Sequence, residues 1–390
     1  MTSQFPEFDV QLTEIPAAEL KRWIDANEAV TILDTRRPED FETWHITGPT
    51  VTTVNVPFTA FLDSADEPVE EIPEGVPAPD AGRIVTCCAA GISSRFVGEF
   101  LLDRGYDVVG LTDGMRGWAG LYEATDIETD GEAIVRQYHR PSSGCLAYLV
   151  VSDGEAAVFD PLRAFANRYP ADASDHDAEL RYAIDTHIHA DHVSGVPTLV
   201  GATDADGIVP AGATNRGLAH DGMTLIADGD TLSVGAVTIE AVGLPGHTTE
   251  MTGYRIGDVF ITGDTVFTDS VARPDLEAGV DGAADAAARL HSTLHKMSSL
   301  PEETIVAPAH AGEDATRAAD GTITATVGDL RDRLAVFEQS EAAFVNDVVA
   351  DMPPRPNNYQ EIIATNLGKR SVSDTEAFEL ELGPNNCAVD

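Results

Sequence analysis

Short apolar runs alternate with helical segments in the first third of the chain. AVTILDT (29–35) and RIVTCC (83–88) are predicted to be buried strands, and SRFVGEFLLDRG (94–105) is predicted to be a helix. DVVGL (107–111) is predicted to be the next strand. Strands and helices that alternate in this way indicate a parallel sheet with helices on both faces. We therefore predict an α/β domain over residues 10–122.

The pattern changes after residue 122. EATDIETDGE (123–132) is polar and has no periodicity, so we predict a linker and a domain boundary there. The apolar runs beyond it are AIVRQYH, CLAYLVV, EAAVFDP, YAIDTHI, GAVTIEAVGLPG, GYRIGDVFITGD and TIVAPAH. Many strands with few long helices between them favour a layered α/β sandwich over residues 133–320. Helical spacing at 324–350, followed by the Pro-rich MPPRPNNY, predicts a C-terminal helix and appendage over 321–390.

Composition and charge narrow the class of protein. The 390 residues exceed what one core of ordinary size needs, which agrees with two domains. Asp and Glu number 66 against 24 Lys and Arg, which gives a formal net charge of -42. Such a surface repels nucleic acid and anionic membranes, and it resembles the acidic surfaces of proteins from salt-loving organisms. We therefore expect no nucleic-acid partner and no membrane partner.

The N-terminus and the cysteines bear on location and redox state. MTSQFPEFDV has no basic stretch followed by an apolar one, and no run approaches 18 apolar residues, so we predict a cytoplasmic protein. The cysteines of a chain this long do not make a disulfide framework, and we predict thiols. They are Cys87, Cys88, Cys145 and Cys387. The oligomeric state is left open, a homo-oligomer included.

CAAGISS (88–94) joins a predicted strand to a predicted helix. Backbone N–H groups and the positive end of the helix dipole surround a cysteine at such a place. They lower the pKa of the thiol and would equally stabilise a persulfide anion. The alternative is a buried structural cysteine, which is the commoner role of this residue type. Cys88 is thus a candidate catalytic residue, and Cys87 is predicted to be a packing residue.

The segment around this loop resembles a rhodanese (sulfurtransferase) domain. LDTRRPEDFETWHITGPTVTTVNVP (33–57) is similar to the early D-x-R…H-I-x-G…N-x-P stretch of that family. CAAGISSRFVGEFLLDRGYDVVGLTDGMRGW (88–118) is similar to its active-site loop, following helix and closing G-x-x-x-W segment. The resemblance covers roughly residues 10–122 and implies that Cys88 carries sulfane sulfur. Catalytic turnover and persulfide sensing or docking without turnover both stay open.

THIHADH (186–192) follows the predicted strand YAIDT and holds four side chains that can bind a metal: His187, His189, Asp191 and His192. A buried imidazole without a partner is costly, so three of them in H-x-H-x-D-H are better explained as ligands than as structural side chains. Further candidate ligands each close a later apolar strand: His247, Asp264 and His310. Nitrogen and carboxylate oxygen ligands suit zinc, iron or manganese.

This set of motifs resembles the metallo-β-lactamase fold family over roughly residues 133–320. The resemblance implies an αββα sandwich with the metal at one edge, between the two sheets. In glyoxalase II-like thioesterases, two zinc ions hydrolyse a thioester. The resemblance implies His187, His189 and His247 for one zinc, Asp191, His192 and His310 for the other, and Asp264 as the bridge.

In persulfide dioxygenases the same motif is used differently. The resemblance implies one Fe(II) on His187, His247 and Asp264, with open positions for a persulfide and O2. His189, Asp191, His192 and His310 would then orient ligands or assist proton transfer. Counting motifs does not decide between one iron and two zincs.

Three features favour the dioxygenase use. TGDTVFTDSVARPDLE (262–277) is similar to the T-G-D…G-R-x-D segment of persulfide dioxygenases, with Arg273 and Asp275 in the matching places. Arg273 would bind a substrate carboxylate or, alternatively, form a salt bridge with Asp275. A rhodanese domain and a dioxygenase also share persulfides as their chemistry. Beyond residue 320 nothing matches the glutathione-binding region of glyoxalase II, and Cys387 in the tail is predicted to be a packing residue.

The sequence therefore predicts an enzyme that oxidises a low-molecular-weight thiol persulfide to sulfite with O2 at a mononuclear iron. Cys88 would carry sulfane sulfur, and Asp191 and Arg273 are the other candidate catalytic residues. One alternative is a binuclear-zinc, glyoxalase II-like thioester hydrolase. The other is a persulfide sensor or sulfur carrier in which the metal domain is structural. The identity of the thiol stays open.

Overall fold

The computed structural model describes residues 5–79, 82–312, 315–350, 352–383 and 387–389. The chain divides into two compact units, Met1–Leu121 and Tyr122–Asp390. None of the described helices combines the length and the apolar character that crossing a membrane requires. The appendage predicted over 321–390 includes residues 351, 384–386 and 390, which lie outside the described residues.

A parallel sheet forms the centre of the first unit. Its strands are β1 (Glu14–Ile15), β2 (Val30–Asp34), β3 (Val51–Asn55), β4 (Ile84–Cys87) and β5 (Val108–Leu111). Its helices are α1 (Ala17–Asp25), α2 (Pro38–Thr43), α3 (Ile92–Asp103) and α4 (Gly114–Ala119), with a 3-10 helix at Phe58–Phe61. The strand order is β1-β5-β4-β2-β3, and every neighbouring pair is parallel.

Alternate side chains of β4 face opposite layers of this unit. Val85 belongs to an apolar cluster with Leu20 of α1 and Trp118 of α4. Ile84 belongs to another cluster with Phe100 of α3. Helices therefore cover both faces, as apolar parallel strands require. The predicted parallel sheet with helices on both faces is confirmed.

Two larger sheets form the second unit. The first contains β6 (Glu123–Ile127), β7 (Ile134–Arg140), β8 (Cys145–Ser152), β9 (Glu155–Phe159), β10 (Glu179–Ile184), β11 (Asp206–Pro210) and β12 (Thr224–Ile226), in the order β12-β11-β10-β9-β8-β7-β6. The second contains β13 (Thr231–Val234), β14 (Val237–Gly243), β15 (Thr252–Ile256), β16 (Val259–Gly263), β18 (Ile305–Pro308) and β19 (Ala325–Thr326), in the order β13-β14-β15-β16-β18-β19. The strands β17 (Val271–Ala272) and β20 (Ala388–Val389) form a separate antiparallel pair.

The helices of the second unit lie outside the two sheets. They are α5 (Arg168–Ser174), α6 (Val196–Ala202), α7 (Asp275–Met297), α8 (Val327–Arg333), α9 (Glu341–Ala350), α10 (Tyr359–Asn366) and α11 (Asp374–Leu380). Short 3-10 helices occur at Arg163–Phe165, Ala211–Arg216 and Ala335–Phe337. Helix α7 is interrupted at Gly279, whose backbone is not helical.

The two sheets face each other across one apolar core. Leu146 and Tyr148 of β8 belong to the same buried cluster as Ile239 of β14 and Ile261 of β16. The intervening β8 residue Leu149 lies in a different cluster, under α5 and α6. Every residue of β8 is buried, because one of its faces meets the second sheet and the other meets helices.

The outer face of the second sheet is covered in turn. Phe260 of β16 belongs to one apolar cluster with Leu290 of α7, Leu330 of α8 and Phe344 of α9. The layer order is helices, sheet, sheet, helices. The predicted αββα sandwich with C-terminal helices is confirmed.

Two segments differ from the expected pattern. Residues 123–127, within the stretch expected to be a linker, form the edge strand β6, antiparallel to β7. Only Ile127 of this strand is buried, so its polar sequence lacks the apolar alternation of a strand. The helical spacing expected over 324–350 is divided into α8, the 3-10 helix and α9. Helix α8 ends at Arg333, because the next residue, Leu334, has an extended backbone.

A buried ion pair attaches the C-terminal appendage to the sandwich. Arg140 Nη1, at the end of β7, lies 2.5 Å from Glu381 Oε2, and the side chains are 0% and 1% exposed. Glu381 Oε1 accepts a hydrogen bond from the backbone N–H of Val193 at 2.8 Å. One carboxylate thus joins the last helix, β7 and the loop after β10.

We expect Glu381→Gln to destabilise the second unit by about 3 kcal/mol, because it removes the buried negative charge that faces Arg140. Gln keeps an oxygen for Val193, so the change isolates the charge. Urea unfolding at one fixed salt concentration measures the effect. In the matched control Asp374→Asn, the lost partner of Arg163 is 89% exposed, and the change is expected to stay below about 1 kcal/mol. Equal effects of the two variants would contradict the prediction.

Candidate metal centre

The predicted ligands follow strands that end at one edge of the sandwich. They lie in the loop after β10 (His187, His189, Asp191 and His192) or follow β14 (His247), β16 (Asp264) and β18 (His310). All seven side chains are buried. The ring centroids of His187 and His189 are 4.1 Å apart, and those of His187 and His247 are 5.2 Å apart. The structure therefore brings the predicted ligands together.

Gly263 allows two strand ends to meet at this edge. It has a left-handed φ of 55°, and a Cβ at this position would lie 2.7 Å from Thr186 Oγ1. Only glycine combines that conformation with that approach. A larger residue would move the next residue, Asp264, whose Oδ2 lies 3.8 Å from His187 Nε2.

A buried carboxylate orients the first two histidines. Asp160, after β9, accepts hydrogen bonds from the backbone N–H of Thr186 at 2.7 Å and from its hydroxyl at 3.0 Å. Because that hydroxyl donates to Asp160, it accepts the Nδ1 proton of His187 at 2.9 Å. His189 Nε2 donates directly to Asp160 at 3.0 Å. His187 Nε2 and His189 Nδ1 are then lone-pair atoms that can bind a metal.

His247 and His192 are also oriented by a hydrogen bond from one ring nitrogen to a fixed oxygen acceptor. His247 Nδ1 donates to the backbone carbonyl of Arg273 at 2.7 Å. His192 Nδ1 lies 2.9 Å from Asp191 Oδ2, to which it donates. Each of these contacts leaves the Nε2 atom of the ring for a metal. A ring nitrogen that donates to a fixed acceptor is the usual support of a metal-binding histidine.

The donor atoms that remain fit a metal ion. The buried atoms that have no hydrogen-bond partner among the described residues include His187 Nε2, His189 Nδ1, His192 Nε2, His247 Nε2 and Asp264 Oδ2. Each such atom would cost about 1–3 kcal/mol if it stayed unsatisfied. One candidate site consists of His187, His247 and Asp264, whose ligand atoms all lie within 4.8 Å of one another. Two imidazoles and a carboxylate suit iron, zinc or manganese.

His310 connects this first site to a second group of side chains, Cys145, Asp191 and His192. Its Nδ1 lies 2.7 Å from Asp264 Oδ1, and its Nε2 lies 2.9 Å from Asp191 Oδ2. Burial lowers the pKa of His310, but the charges of Asp264 and Asp191 outweigh burial and raise the pKa well above its usual value. Asp264 Oδ1 therefore accepts the Nδ1 proton of His310. The other oxygen, Oδ2, faces His187 and His247.

Asn366, the last residue of α10, holds the backbone of the ligand loop. Its Nδ2 donates to the carbonyls of His189 at 3.0 Å and His192 at 2.8 Å. Its Oδ1 accepts the backbone N–H of Ser194 at 2.9 Å. The loop is irregular, so these backbone groups have no strand partner, and one buried amide satisfies three of them.

Arg273 is buried, and its guanidinium is engaged by protein groups. Nε and Nη2 donate to the two carboxylate oxygens of Asp275 at 2.7 and 3.2 Å, and Nη1 donates to the carbonyl of Pro354 at 2.9 Å. Arg355 donates to the same carboxylate at 2.8 Å. The geometry is that of the salt-bridge alternative. Binding of a substrate carboxylate by Arg273 would require the pair with Asp275 to open.

The first unit places Cys88 between β4 and α3, as the sequence predicts. Burial raises the pKa of its thiol, but hydrogen bonds from the Ser93 and Ser94 hydroxyls and from backbone N–H groups outweigh burial, so the pKa lies below its usual value. Ser94 Oγ lies 3.3 Å from Cys88 Sγ. Burial, followed by the charge of Asp34, raises the pKa of the adjacent Cys87 well above its usual value. The pKa values of the two neighbouring thiols are therefore shifted in opposite directions.

Both units are similar to known protein families. Residues 141–310 match the metallo-beta-lactamase superfamily, and residues 16–121 match the rhodanese-like domain. A probable metallo-hydrolase of Burkholderia pseudomallei is 30% identical over 260 residues, which are 56% of this chain and 88% of that protein. The chain belongs to the metallo-beta-lactamase superfamily. It also has a rhodanese-like domain on its N-terminal side.

Other relatives carry more specific names. Persulfide dioxygenase ETHE1 of Homo sapiens is 28% identical over 183 residues, 45% of this chain and 68% of that protein. A hydroxyacylglutathione hydrolase of Vibrio cholerae is 34% identical over 159 residues, 40% of this chain and 58% of that protein. The crystal structure of ETHE1 from Myxococcus xanthus shares the fold, with a TM-score of 0.53 and 24% identity over 61% of this chain and 100% of that chain. Fold, donor atoms and relatives together support a metal-dependent enzyme.

Several residues of the centre were not identified from the sequence. Asp160 closes the apolar run EAAVFDP, and the other strand-closing carboxylate, Asp264, was recognised from the same kind of position. Cys145 Sγ lies 3.2 Å from Asp191 Oδ2. Cys145 and Asn366 are distant in sequence from the histidine motif, and no local pattern marks them.

We expect Asn366→Ala to weaken metal binding by roughly 10-fold to 100-fold, because the ligand loop loses three backbone hydrogen bonds without losing a ligand. Metal retained against a chelator series, measured by elemental analysis, tests this. Asn215→Ala, at an exposed position, is the control and should bind metal as the parent does. If Asn366→Ala retained as much metal as the parent and had the same far-UV circular dichroism, the ligand loop would not depend on Asn366 for its conformation.

We expect Ser94→Ala to raise the pKa of Cys88, since the thiolate loses a hydrogen-bond donor that stabilises it. The pH of half-maximal alkylation by iodoacetamide should therefore move upward, with Cys88→Ser used to identify the reactive site. Ser64→Ala, an exposed serine of the same unit, should leave the profile in place. A downward shift in Ser94→Ala would contradict this assignment.

Proposed function

We propose that the chain oxidises the persulfide of a low-molecular-weight thiol to sulfite with O2 at a single iron. The main support is the arrangement of His187, His247 and Asp264. Asp264 Oδ2 lies 3.8 Å from His187 Nε2 and 3.6 Å from His247 Nε2. Iron(II) on two imidazoles and one carboxylate supplies open positions for a sulfur ligand and O2. One persulfide, one O2 and one water give one thiol, one sulfite and two protons.

The contacts of Asp264 support a single metal rather than a bridged pair. A bridging carboxylate offers one oxygen to each ion, whereas Asp264 Oδ1 is held by His310 Nδ1 at 2.7 Å. His310 in turn reaches Asp191 through Nε2. Protonated His310 thus links the carboxylates of Asp264 and Asp191. A bridge between two zinc ions would instead need both oxygens of Asp264.

His189 is the residue we propose to accept the proton of the persulfide. Its Nε2–H is anchored on Asp160, and its Nδ1 lacks a hydrogen-bond partner in the described part of the chain. Nδ1 also lies 3.9 Å from Asp191 Oδ1. A proton received at Nδ1 would make an imidazolium between two carboxylates, which stabilise it.

Cys88 is proposed to exchange sulfane sulfur with the small thiol. Its lowered pKa favours the thiolate, and the same hydrogen bonds stabilise a persulfide anion on it. Attack of the Cys88 thiolate on a sulfane sulfur donor forms the Cys88 persulfide, and attack of the small thiol on it returns the cysteine and yields the substrate. Each step breaks one S–S bond and forms another, and the displaced group leaves with the electron pair, so neither an oxidant nor a reductant is needed.

Thioester hydrolysis at two zincs is the second candidate function. His192 Nε2 favours it, since this buried lone pair lies outside the His187, His247 and Asp264 set. The hydroxyacylglutathione hydrolase of Vibrio cholerae is also a relative. The two functions differ in metal and in their need for O2.

We expect protein purified without oxygen to contain about one iron in the first site and to consume O2 when a thiol persulfide is added. His247→Ala removes a ligand and should abolish both the iron and the O2 uptake. Elemental analysis and an oxygen electrode measure the two quantities.

The control is His295→Ala, at an exposed histidine of α7, which should keep iron and activity. Zinc in place of iron, with thioester hydrolysis under anaerobic conditions and no O2 uptake with any persulfide, would establish the hydrolase instead.

A further inference from the structure

A cavity of about 420 Å³ lies beside the ligand loop of the second unit. Ser194, which follows the last histidine of that loop, and Asn366 of α10 form part of its wall. The basic residues that line it are Arg163, His220, Lys369 and Arg370. None of its described lining residues is Asp or Glu. Pockets for small molecules in proteins have volumes of about 300–1,000 Å³, so this cavity can hold a small ligand.

The basic wall contrasts with the charge of the chain as a whole. The 66 acidic and 24 basic residues give a net charge of -42, and the field of such a chain repels anions. Lys369 is one of only three lysines in the sequence. Its Nζ donates to the backbone carbonyl of Arg216 at 2.7 Å, and a carbonyl does not neutralise an ammonium charge. The wall thus carries positive charge that no described carboxylate of the wall balances.

The two arginines of the wall are paired with carboxylates that do not line the cavity. Arg163 Nη2 lies 2.8 Å from Asp374 Oδ1, and Arg370 lies 2.6 Å from Glu361 Oε2 and 2.7 Å from Glu376 Oε1. These three carboxylate side chains are 89%, 51% and 45% exposed. Water and salt screen such pairs, so they contribute little and can open. An anion in the cavity would therefore compete with them for the guanidinium groups.

His220 supplies an observation that does not depend on charge. Its Nε2 atom is buried, and the described residues give it no hydrogen-bond partner. The ring lies next to Gly368, where a Cβ would be 3.1 Å from His220 Cδ2. A buried polar atom without a partner is costly unless a ligand bonds to it. With its proton on Nε2, the ring would donate to an oxygen atom bound in the cavity.

We propose that this cavity binds a small oxyanion, a phosphate or carboxylate group, through Arg163, Lys369 and Arg370, with His220 as a further donor. A guanidinium group offers paired N–H donors to such an anion, and an ammonium group offers a compact charge. Enclosure by the wall removes part of the water, which strengthens these contacts relative to the exposed ion pairs of the arginines. No chemical group is transferred on binding, and neither a metal nor O2 takes part.

Acetylation of the lysines tests the site without a substitution, because the chain has only three of them. The full chain is treated with a limiting amount of acetylating reagent in sodium chloride or in sodium phosphate of equal ionic strength, and mass spectrometry measures each lysine. We expect phosphate to reduce the labelling of Lys369 several-fold. Lys21 and Lys296 do not line the cavity and should be labelled equally in both salts. Equal labelling of Lys369 in the two salts would overturn the proposal.

Calorimetric titration with phosphate at constant ionic strength measures the contribution of the cations. Arg370→Gln and Lys369→Gln should each weaken binding roughly 10-fold, since each removes charge-assisted hydrogen bonds. Arg331→Gln and Lys296→Gln are the matched controls and should bind phosphate as the parent does. Arg331 is ion-paired with Glu302 outside the cavity, and Lys296 is an exposed lysine of α7. Equal losses of affinity in the cavity variants and in the controls would contradict the proposal.

A second probe distinguishes the sources of the oxyanion. S-methylglutathione carries the carboxylates of a small acidic thiol but has no free thiol that would consume the reagent. Protection of Lys369 by both phosphate and S-methylglutathione would assign the site to the acidic group of a thiol carrier. Protection by phosphate alone would assign it to a free anion. These measurements need neither O2 nor a persulfide, so their outcome is independent of that of the proposed dioxygenase function.

Discussion

The buried carboxylate of Asp160 is the interaction on which the metal centre depends. An imidazole in a site without water can bind a metal only when its proton sits on the other nitrogen and has an acceptor there. Asp160 accepts the proton of His189 directly and orients His187 through the hydroxyl of Thr186. It also accepts the backbone N–H of Thr186, which ties the end of β9 to the loop after β10. One side chain that is not among the predicted ligands thus determines which nitrogen of His187 and of His189 is available to a metal.

The ligand loop imposes a second constraint, because its irregular backbone is buried. Asn366 and Glu381, both in the C-terminal appendage, accept from Ser194 and Val193 and satisfy groups that no strand reaches. Glu381 is itself neutralised by Arg140. The appendage therefore completes the centre. Residues 133–320 alone would leave those buried backbone groups without these partners.

The sequence predicts the parts of this protein that rest on local patterns. Continuous apolar runs such as β8 indicate strands covered on both faces, and histidines that close such strands indicate a metal site. The edge strand β6 escaped prediction because only Ile127 of it is buried, so burial imposes no alternation on its sequence. Asn366 and Cys145 escaped because their contacts with the ligand loop are formed by tertiary folding across sequence distances with no period. The sequence left open whether Arg273 pairs with Asp275, because that contact depends on where folding places the two side chains.

Two kinds of electrostatic interaction act on this protein: repulsion between surface charges, which salt screens, and interactions of buried carboxylates, which salt does not reach. The net charge of -42 creates repulsion over the surface, which is screened beyond about 8–10 Å at ordinary ionic strength and more closely in concentrated salt. The carboxylates of the centre are buried and lie outside the reach of that screening. Burial raises the pKa of Asp185 to about 6, although this carboxylate accepts a hydrogen bond from Ser194. A cation bound at this centre would compensate the buried carboxylates where neither salt nor water can, and its binding would then stabilise the folded second unit.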